Sequence, residues 1–262
     1  MNFLQPFYGL EDFFFICEEE SMIDIHTHIL PGLDDGARDM EDALSMAELA
    51  VKSGVHTLVA TSHANTGGFF RKYRVEEYYD RLEEFRNILD YEEIPLCVLS
   101  GMEIYMTERV PQMIRDGQLL SLNHTDYFLT EFSFGIEQEE MDELLDDLME
   151  LGVTPIIAHP ERYRCVQESA RGLFEWMQRG CLVQVNRGSI FGKFGSDVKY
   201  CVNHLLQKRM VTCIASDAHK PYERTTYMAD IKEYMENKYS FEYSKKLLYD
   251  NPRRILEGEN VL

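Results

Sequence analysis

A single α/β barrel of seven parallel strands is the fold this sequence predicts, and three observations predict it. Seven short runs of apolar and β-branched residues alternate with longer amphipathic runs from residue 22 onward. The short runs are apolar on both faces, as strands buried in a parallel sheet are. The chain has 262 residues, 45% of them hydrophobic, which is room for one such barrel with a core that needs no staples. A doubly wound open sheet is the second choice.

The elements follow in order. The first strand is 22–26 (MIDIH), and a helical pattern over 39–53 ends at Gly54. The second strand is 55–62 (VHTLVATS), with a helix near 75–90. The third is 95–103 (PLCVLSGME), with a helix near 107–116 closed by Gly117. The fourth is 125–132 (TDYFLTEF), with a helix near 137–151 closed by Gly152. The fifth is 153–159 (VTPIIAH), with a helix near 167–179 closed by Gly180. The sixth is 181–187 (CLVQVNR), with a helix near 196–208, and the seventh is 210–217 (MVTCIASD). Helices near 222–237 and 240–258 complete the chain. Glycine just past a helical run is the expected C-terminal stop. Consecutive βα units imply parallel strands joined by right-handed crossovers.

The sequence shows no Pro/Gly/Ser-rich linker, low-complexity segment or solenoid repeat, so 22–262 reads as one domain. The preceding segment, 1–21, is aromatic, with Phe3, Phe7, Tyr8, Phe13, Phe14 and Phe15. It resembles a signal peptide only superficially, because it lacks a basic start and is interrupted by Glu11, Asp12 and Glu18 to Glu20. It is expected to be an extension, either a mis-assigned start forming a loose tail or a segment docking on the barrel or a partner, with no catalytic role.

Charge narrows the function. Acidic residues outnumber basic ones 46 to 26, a formal net charge of −20, which argues against broad electrostatic binding of nucleic acid or anionic lipid. No apolar run approaches the ~18 residues of a membrane span. The six cysteines show no CxxC pair and read as reduced core thiols of a cytoplasmic protein. Cys165 and Arg171 spell C-x5-R, the spacing of cysteine-dependent tyrosine phosphatases, but the loop has no glycine to let backbone N–H groups cradle a phosphate and no histidine before the cysteine. It is read as a chance match.

The strand ends carry the chemistry. Strand one runs into His26 and His28; strands two to five end at His63, Glu103, Glu131 and His159; strand seven ends at Asp217 and His219. One histidine after a strand is ordinarily a capped or solvated residue. Six of seven strand ends together are not, because parallel barrels gather their C-terminal strand ends on one face. Five of the eight histidines lie at these ends, leaving His56, His124 and His204 as ordinary residues. An H-x-H on an extended strand points both rings to one face. Imidazole and carboxylate without cysteine suit manganese, iron or zinc, and argue against calcium or a thiolate zinc. So many donors imply about two to three divalent metals, the usual plan for hydrolysing phosphate esters.

The motifs M-I-D-I-H-T-H-I-L-P-G-L-D-D-G at 22–36, T-S-H at 61–63, G-M-E-I-Y at 101–105, I-A-H-P-E-R-Y at 157–163 and A-S-D-A-H at 215–219 resemble the PHP (polymerase and histidinol phosphatase) superfamily. Within it the chain is most similar to bacterial manganese-dependent protein tyrosine phosphatases of the CpsB/CapC type, over about residues 22–258. The resemblance implies a distorted seven-stranded barrel with three metals. His26, His28, Glu103 and Asp217 would hold the first. Glu103 would bridge to the second, completed by Glu131 and His159. Asp35, His63 and His219 would hold the third. Arg162 and Arg224 match the arginines that grip the substrate phosphate, for which a guanidinium fork is well suited. The implied reaction is attack of a metal-bridged hydroxide on phosphotyrosine, with no covalent phosphoenzyme. A tyrosyl leaving group, with a pKa of about 10, departs with little acid assistance, so no general acid is assigned; Asp35 and His63 are only neighbours of the right kind.

The implied substrate is the tyrosine-rich tail of a cognate bacterial tyrosine kinase serving capsule or exopolysaccharide synthesis. Histidinol phosphate or another small phosphomonoester is the alternative, disfavoured by Glu131 and the D-D-G at 34–36. A scaffolding module of the polysaccharide machinery is a third reading, against which the complete ligand set argues. A nuclease is disfavoured by the net charge and the lack of a basic stripe. A homo-oligomer stays open.

Overall fold

The computed structural model describes residues 21–68 and 72–261. The N-terminal extension expected over 1–21 lies outside them except for Ser21. Among the described residues nine strands form: β1 (Met22–Thr27), β2 (Val55–Ala60), β3 (His63–Ala64), β4 (Cys97–Ser100), β5 (Glu103–Tyr105), β6 (Tyr127–Glu131), β7 (Thr154–Ala158), β8 (Leu182–Asn186) and β9 (Cys213–Ala215). Every strand pairing is parallel, in two sheets ordered β1-β2-β4 and β3-β5-β6-β7-β8-β9.

The seven predicted strands are seven staves, two of them broken. The second stave leaves the first sheet at Ala60 and rejoins the other as β3; the third does the same between β4 and β5. At the first break, Thr27 N–H donates to Thr61 Oγ1 (2.9 Å) and Thr61 N–H to Thr27 O (2.8 Å), tying the bend to β1. At the second break stands Gly101, where an added Cβ would lie 2.7 Å from Val59 Cγ1 and 2.8 Å from Leu122 Cδ2. Only a residue without a side chain lets the stave turn there.

The circle closes between β9 and β1. Thr27 bridges Ala218 in parallel, His28 N–H donates to Ala218 O (2.8 Å) and Asp217 N–H to His26 O (2.9 Å). The buried Asp24 accepts from Ser216 N–H at 3.0 Å across the same seam. Burial pushes its carboxyl up to about 6.

Alternate residues of the staves fill the barrel: Ile23 and Ile25, Val59, Tyr127 and Leu129, Ile156 and Ala158, Leu182, Cys213 and Ala215, with Ile255 and Leu256 from the C-terminal helix. A second, larger core lies between barrel and helices. The helix Met40–Lys52 starts where predicted, its N-cap Asp39 accepting from Asp42 N–H, and Gly54, Gly117, Gly152 and Gly180 all take positive φ after helix ends. Three helical predictions need correction. The run 167–179 is two helices, Arg164–Glu168 and Arg171–Gln178; the run 222–237 becomes helical only at Ala229; and 240–258 contains a π-helical stretch, Lys246–Asp250, between Phe241–Lys245 and Asn251–Leu256.

Gly101→Ala should destabilise the fold by about 1–3 kcal/mol through overpacking at the stave break, read as a lower urea midpoint with an unchanged m-value.

Candidate metal centre

The inner core gives way to polar side chains at the C-terminal strand ends. On β6 the inward series Tyr127, Leu129 continues to Glu131; on β9 Cys213, Ala215 continues to Asp217. On β1 the alternation breaks. Asp24 pairs with Leu58 and Thr27 with Ala60, three steps against two, so a bulge lies between them. It lets Ile25 pack in the barrel core while its neighbour His26 reaches the site; bulges beside sites commonly re-aim a side chain in this way. His159, Asp217 and Arg224 hold left-handed backbone conformations (φ 36°, 50° and 50°), strain of the kind that clusters at functional sites.

All nine residues expected as ligands converge. Four groups have ligand atoms within 4.8 Å of one another: His28, Asp35, His63 and His219; His26, Glu103 and His159; His26, His28 and Asp217; His63, Glu103 and Glu131. Glu103 is the hub. Its Oε2 lies 3.2 Å from His26 Nε2, 3.2 Å from His28 Nε2 and 3.1 Å from His63 Nδ1, while its Oε1 is 2.8 Å from His159 Nε2. Asp217 Oδ1 lies 3.5 Å from both His26 Nε2 and His28 Nε2. Asp35, half exposed, sits 3.4 Å from His219 Nε2 and 3.7 Å from His63 Nε2. His56, His124 and His204 belong to none of these groups.

The donor set fits divalent cations on one observation above all. His26 Nε2 and His28 Nε2 face each other at 3.2 Å. Both rings use their other nitrogen elsewhere: His26 Nδ1–H donates to Gln184 Oε1 (2.9 Å) and His28 Nδ1–H to Asp34 Oδ2 (2.8 Å). Two buried Nε2 atoms therefore point at one place, beside two carboxylate oxygens. A cation ~2.1 Å from each of four tetrahedral donors sets them ~3.4 Å apart, which is close to the spacing found.

The charges give the same result. Burial would raise Glu103 and Asp217, yet the surrounding charges, His26 foremost, hold both well below the usual carboxylate range. Glu131 goes the other way, pushed up to about 9 by burial and by the charges of Glu103 and Asp217. Burial drives His63 down to about 4. Against burial, the same carboxylates push His26 and His28 above the ordinary imidazole value, so the spot calls for positive charge, which a divalent cation would supply.

The sequence reading did not single out Asp34, Gln184, Asn186 or Glu161. Asp34 accepts from His28 Nδ1–H, His63 N–H (2.8 Å) and Gly36 N–H (2.9 Å), and the His28 charge holds it low against its burial. The D-D-G motif thus divides its labour: Asp34 orients, Asp35 faces the site, and Gly36 lies so close to His28 that a Cβ would meet His28 O at 2.1 Å. The signal was present in that motif, but nothing in it separates the two aspartates.

Arg162 and Arg224 stand at the rim. Arg224 Nη2 lies 2.5 Å and Arg162 Nη1 3.8 Å from Asp217 Oδ2. The Arg162 guanidinium is held between the Phe134 and Phe194 rings (4.2 and 4.7 Å), and Arg224 lies 5.7 Å from the same Phe194. Both open onto a cleft of about 550 Å³ that Tyr105, Phe132, Phe134, Glu131 and His219 also line. Cys165 is elsewhere in character. It lies in the helix Arg164–Glu168, half-buried, its thiol raised by burial, while Arg171 pairs with Glu175 at 2.8 Å. The C-x5-R spacing builds no phosphate cradle.

A parallel barrel whose strand ends bring imidazoles and carboxylates together beneath an arginine rim defines a class, the metal-dependent barrel hydrolases. The chain belongs within it to the CpsB/CapC family of capsular polysaccharide synthesis, whose model matches residues 22–257. It is 35% identical to the tyrosine-protein phosphatase YwqE of Bacillus subtilis, over 92% of this chain and 93% of that protein. It is 30% identical to the tyrosine-protein phosphatase CpsB of Streptococcus pneumoniae, over 92% of this chain and all of that protein. A chain from the crystal structures of YwqE and CpsB, described as unique metal-dependent tyrosine phosphatases, superposes with a TM-score of 0.86 at 35% identity, covering 92% of this chain and 96% of that one. The Escherichia coli phosphotriesterase homology protein shares the fold, at TM-score 0.58 and 12% identity, over 90% of this chain and 98% of that one.

Asp34→Asn should weaken manganese binding about 10- to 100-fold, measured by calorimetric titration of the chelator-stripped protein. Cys165→Ser should leave phosphatase turnover within about twofold of the parent.

Proposed function

We propose that this chain is a metal-dependent protein tyrosine phosphatase whose substrate is a phosphotyrosine protein, a cognate bacterial tyrosine kinase controlling capsule or exopolysaccharide synthesis in the cytoplasm. The observation that carries the reading is the pairing of a buried imidazole–carboxylate cage with two guanidiniums on one cleft. The family relation supports the reaction, and the capsule context comes from the family. The five described cysteines are free and buried or half-buried, which suits a reducing compartment.

His26, His28, Glu103 and Asp217 would hold one metal, Glu103, Glu131 and His159 a second, and Asp35, His63 and His219 a third, manganese being favoured over iron or zinc. Such metals, when bound, lower the pKa of water and offset charge on a phosphoryl group. The remaining work falls to the protein's own groups. Arg162 and Arg224 point their donors at the cleft and present forks for the phosphoryl oxygens, where charge is already concentrated. The Phe134 and Phe194 rings pack against the Arg162 guanidinium, so less rotamer freedom is lost when the phosphate arrives. Tyr105, Phe132 and Phe134 give the cleft an aromatic wall against which a phenyl ring can lie. A phenolate leaving group needs only weak acid assistance, in keeping with a cleft whose lining carboxylates among the described residues, Asp35, Glu103, Glu131 and Asp217, all belong to the cage.

With manganese supplied, a phosphotyrosine peptide should turn over and histidinol phosphate should not, and chelator should abolish the activity. Preference for histidinol phosphate would move the substrate to a small molecule; peptide turnover indifferent to chelator would refute the metal chemistry. Arg162→Lys and Arg224→Lys should each lower kcat/KM for the peptide about 10²- to 10³-fold while leaving bound metal unchanged by elemental analysis.

A further inference from the structure

β8 is the one stave whose end carries no ionisable ligand, yet its inward series runs Leu182, Gln184, Asn186, and both amide side chains are fully buried against the cage. They connect two of its members, Asp217 and His26. Asn186 Nδ2–H donates to Asp217 Oδ2 at 2.5 Å. Gln184 Nε2–H donates to Asn186 Oδ1 at 2.9 Å. Gln184 Oε1 accepts from His26 Nδ1–H at 2.9 Å. The Asn186 backbone N–H is itself fixed by Glu161 Oε1, also at 2.9 Å.

The direction of every bond follows from the chemistry at one end. An ionised carboxylate only accepts, so Asp217 compels Asn186 to present its NH2. The Asn186 carbonyl oxygen then faces Gln184, which must answer with its own NH2. That turns Gln184 Oε1 toward His26, and an oxygen there requires the proton on Nδ1. His26 Nε2 is left as the nitrogen aimed at His28 Nε2, Glu103 and Asp217. The same chain settles Asp217, whose Oδ2 is taken up by Asn186 and Arg224 while Oδ1 faces the two imidazoles.

We infer that Gln184 and Asn186 are positioning residues: an amide relay from Asp217 that holds a proton on His26 Nδ1 and fixes the ring so that Nε2 is the nitrogen offered to a divalent cation. The inference rests on His26 being a metal ligand. Partners behind ligating histidines commonly govern affinity about 10- to 100-fold; here both are neutral amides, which fix proton position without adding a charge to a crowded cage.

The test uses the full chain, stripped with chelator and labelled with 15N-histidine, followed by manganese titration. Long-range 1H–15N correlation should show His26 Nδ1 protonated in the stripped wild type. Gln184→Met, which can neither accept from His26 nor donate to Asn186, should lose that fixed proton and bind manganese about 10- to 100-fold more weakly. Gln184→Glu, which still accepts, should keep the proton on Nδ1. Wild type that binds manganese but shows His26 Nδ1 unprotonated when stripped overturns the relay alone, and that measurement needs no variant to fold. Gln184→Met that retains both that proton and the affinity overturns it as well. Wild type that binds no manganese overturns the metal-site reading and the relay with it.

Discussion

The structure turns on a crowding of like and unlike charges at one end of a barrel. Five imidazoles and the carboxylates of Asp34, Asp35, Glu103, Glu131 and Asp217 share a volume in which many neighbouring ligand atoms lie 2.8–3.7 Å apart. Burial alone would drive the histidines neutral and the carboxylates protonated. Instead Glu103, Asp34 and Asp217 stay low and Glu131 is forced high, an arrangement that divalent cations relieve by satisfying all the donors at once. Other features serve that crowding: the bulge in β1 that turns His26 inward, the closing seam between β9 and β1 beside Asp217, and the left-handed backbone at His159 and Asp217.

The staves were legible in the sequence because parallel strands buried on both faces announce themselves as apolar runs, and because ionisable residues rarely end six of them by accident. Their breaks were less legible. Thr61 and Gly101 sit inside runs that read as continuous, and only the packing of Val59 and Leu122 against Gly101 shows why the third stave must bend there. The pairing of His26 with His28 was foreseen from simple alternation along a strand. In the structure β1 ends at Thr27, and a bulge ahead of it brings the two rings together. The π-helical stretch Lys246–Asp250 has no periodic signature distinct from the helices on either side.

What supports the cage was harder to see than what forms it. A search for titratable groups passes over Gln184 and Asn186, because amides carry no charge and no preference for metals. It also cannot divide Asp34 from Asp35, since orienting and facing roles differ only by which way two adjacent side chains point. Arg162 and Arg224 came from family resemblance rather than spacing. The structure adds a physical reason for their placement in the aromatic rings that hold Arg162 and in the carboxylate of Asp217, which anchors Arg224 and draws Arg162 close.

The central claim is that this cage is built for cations and that the chemistry depends on them. The most direct test is elemental analysis of the purified chain, stripped and then reloaded with manganese, with phosphotyrosine-peptide turnover followed on the same samples. The account predicts about two to three metal ions per chain, with turnover lost and regained in step with them. Full turnover in protein carrying only traces of metal would contradict it.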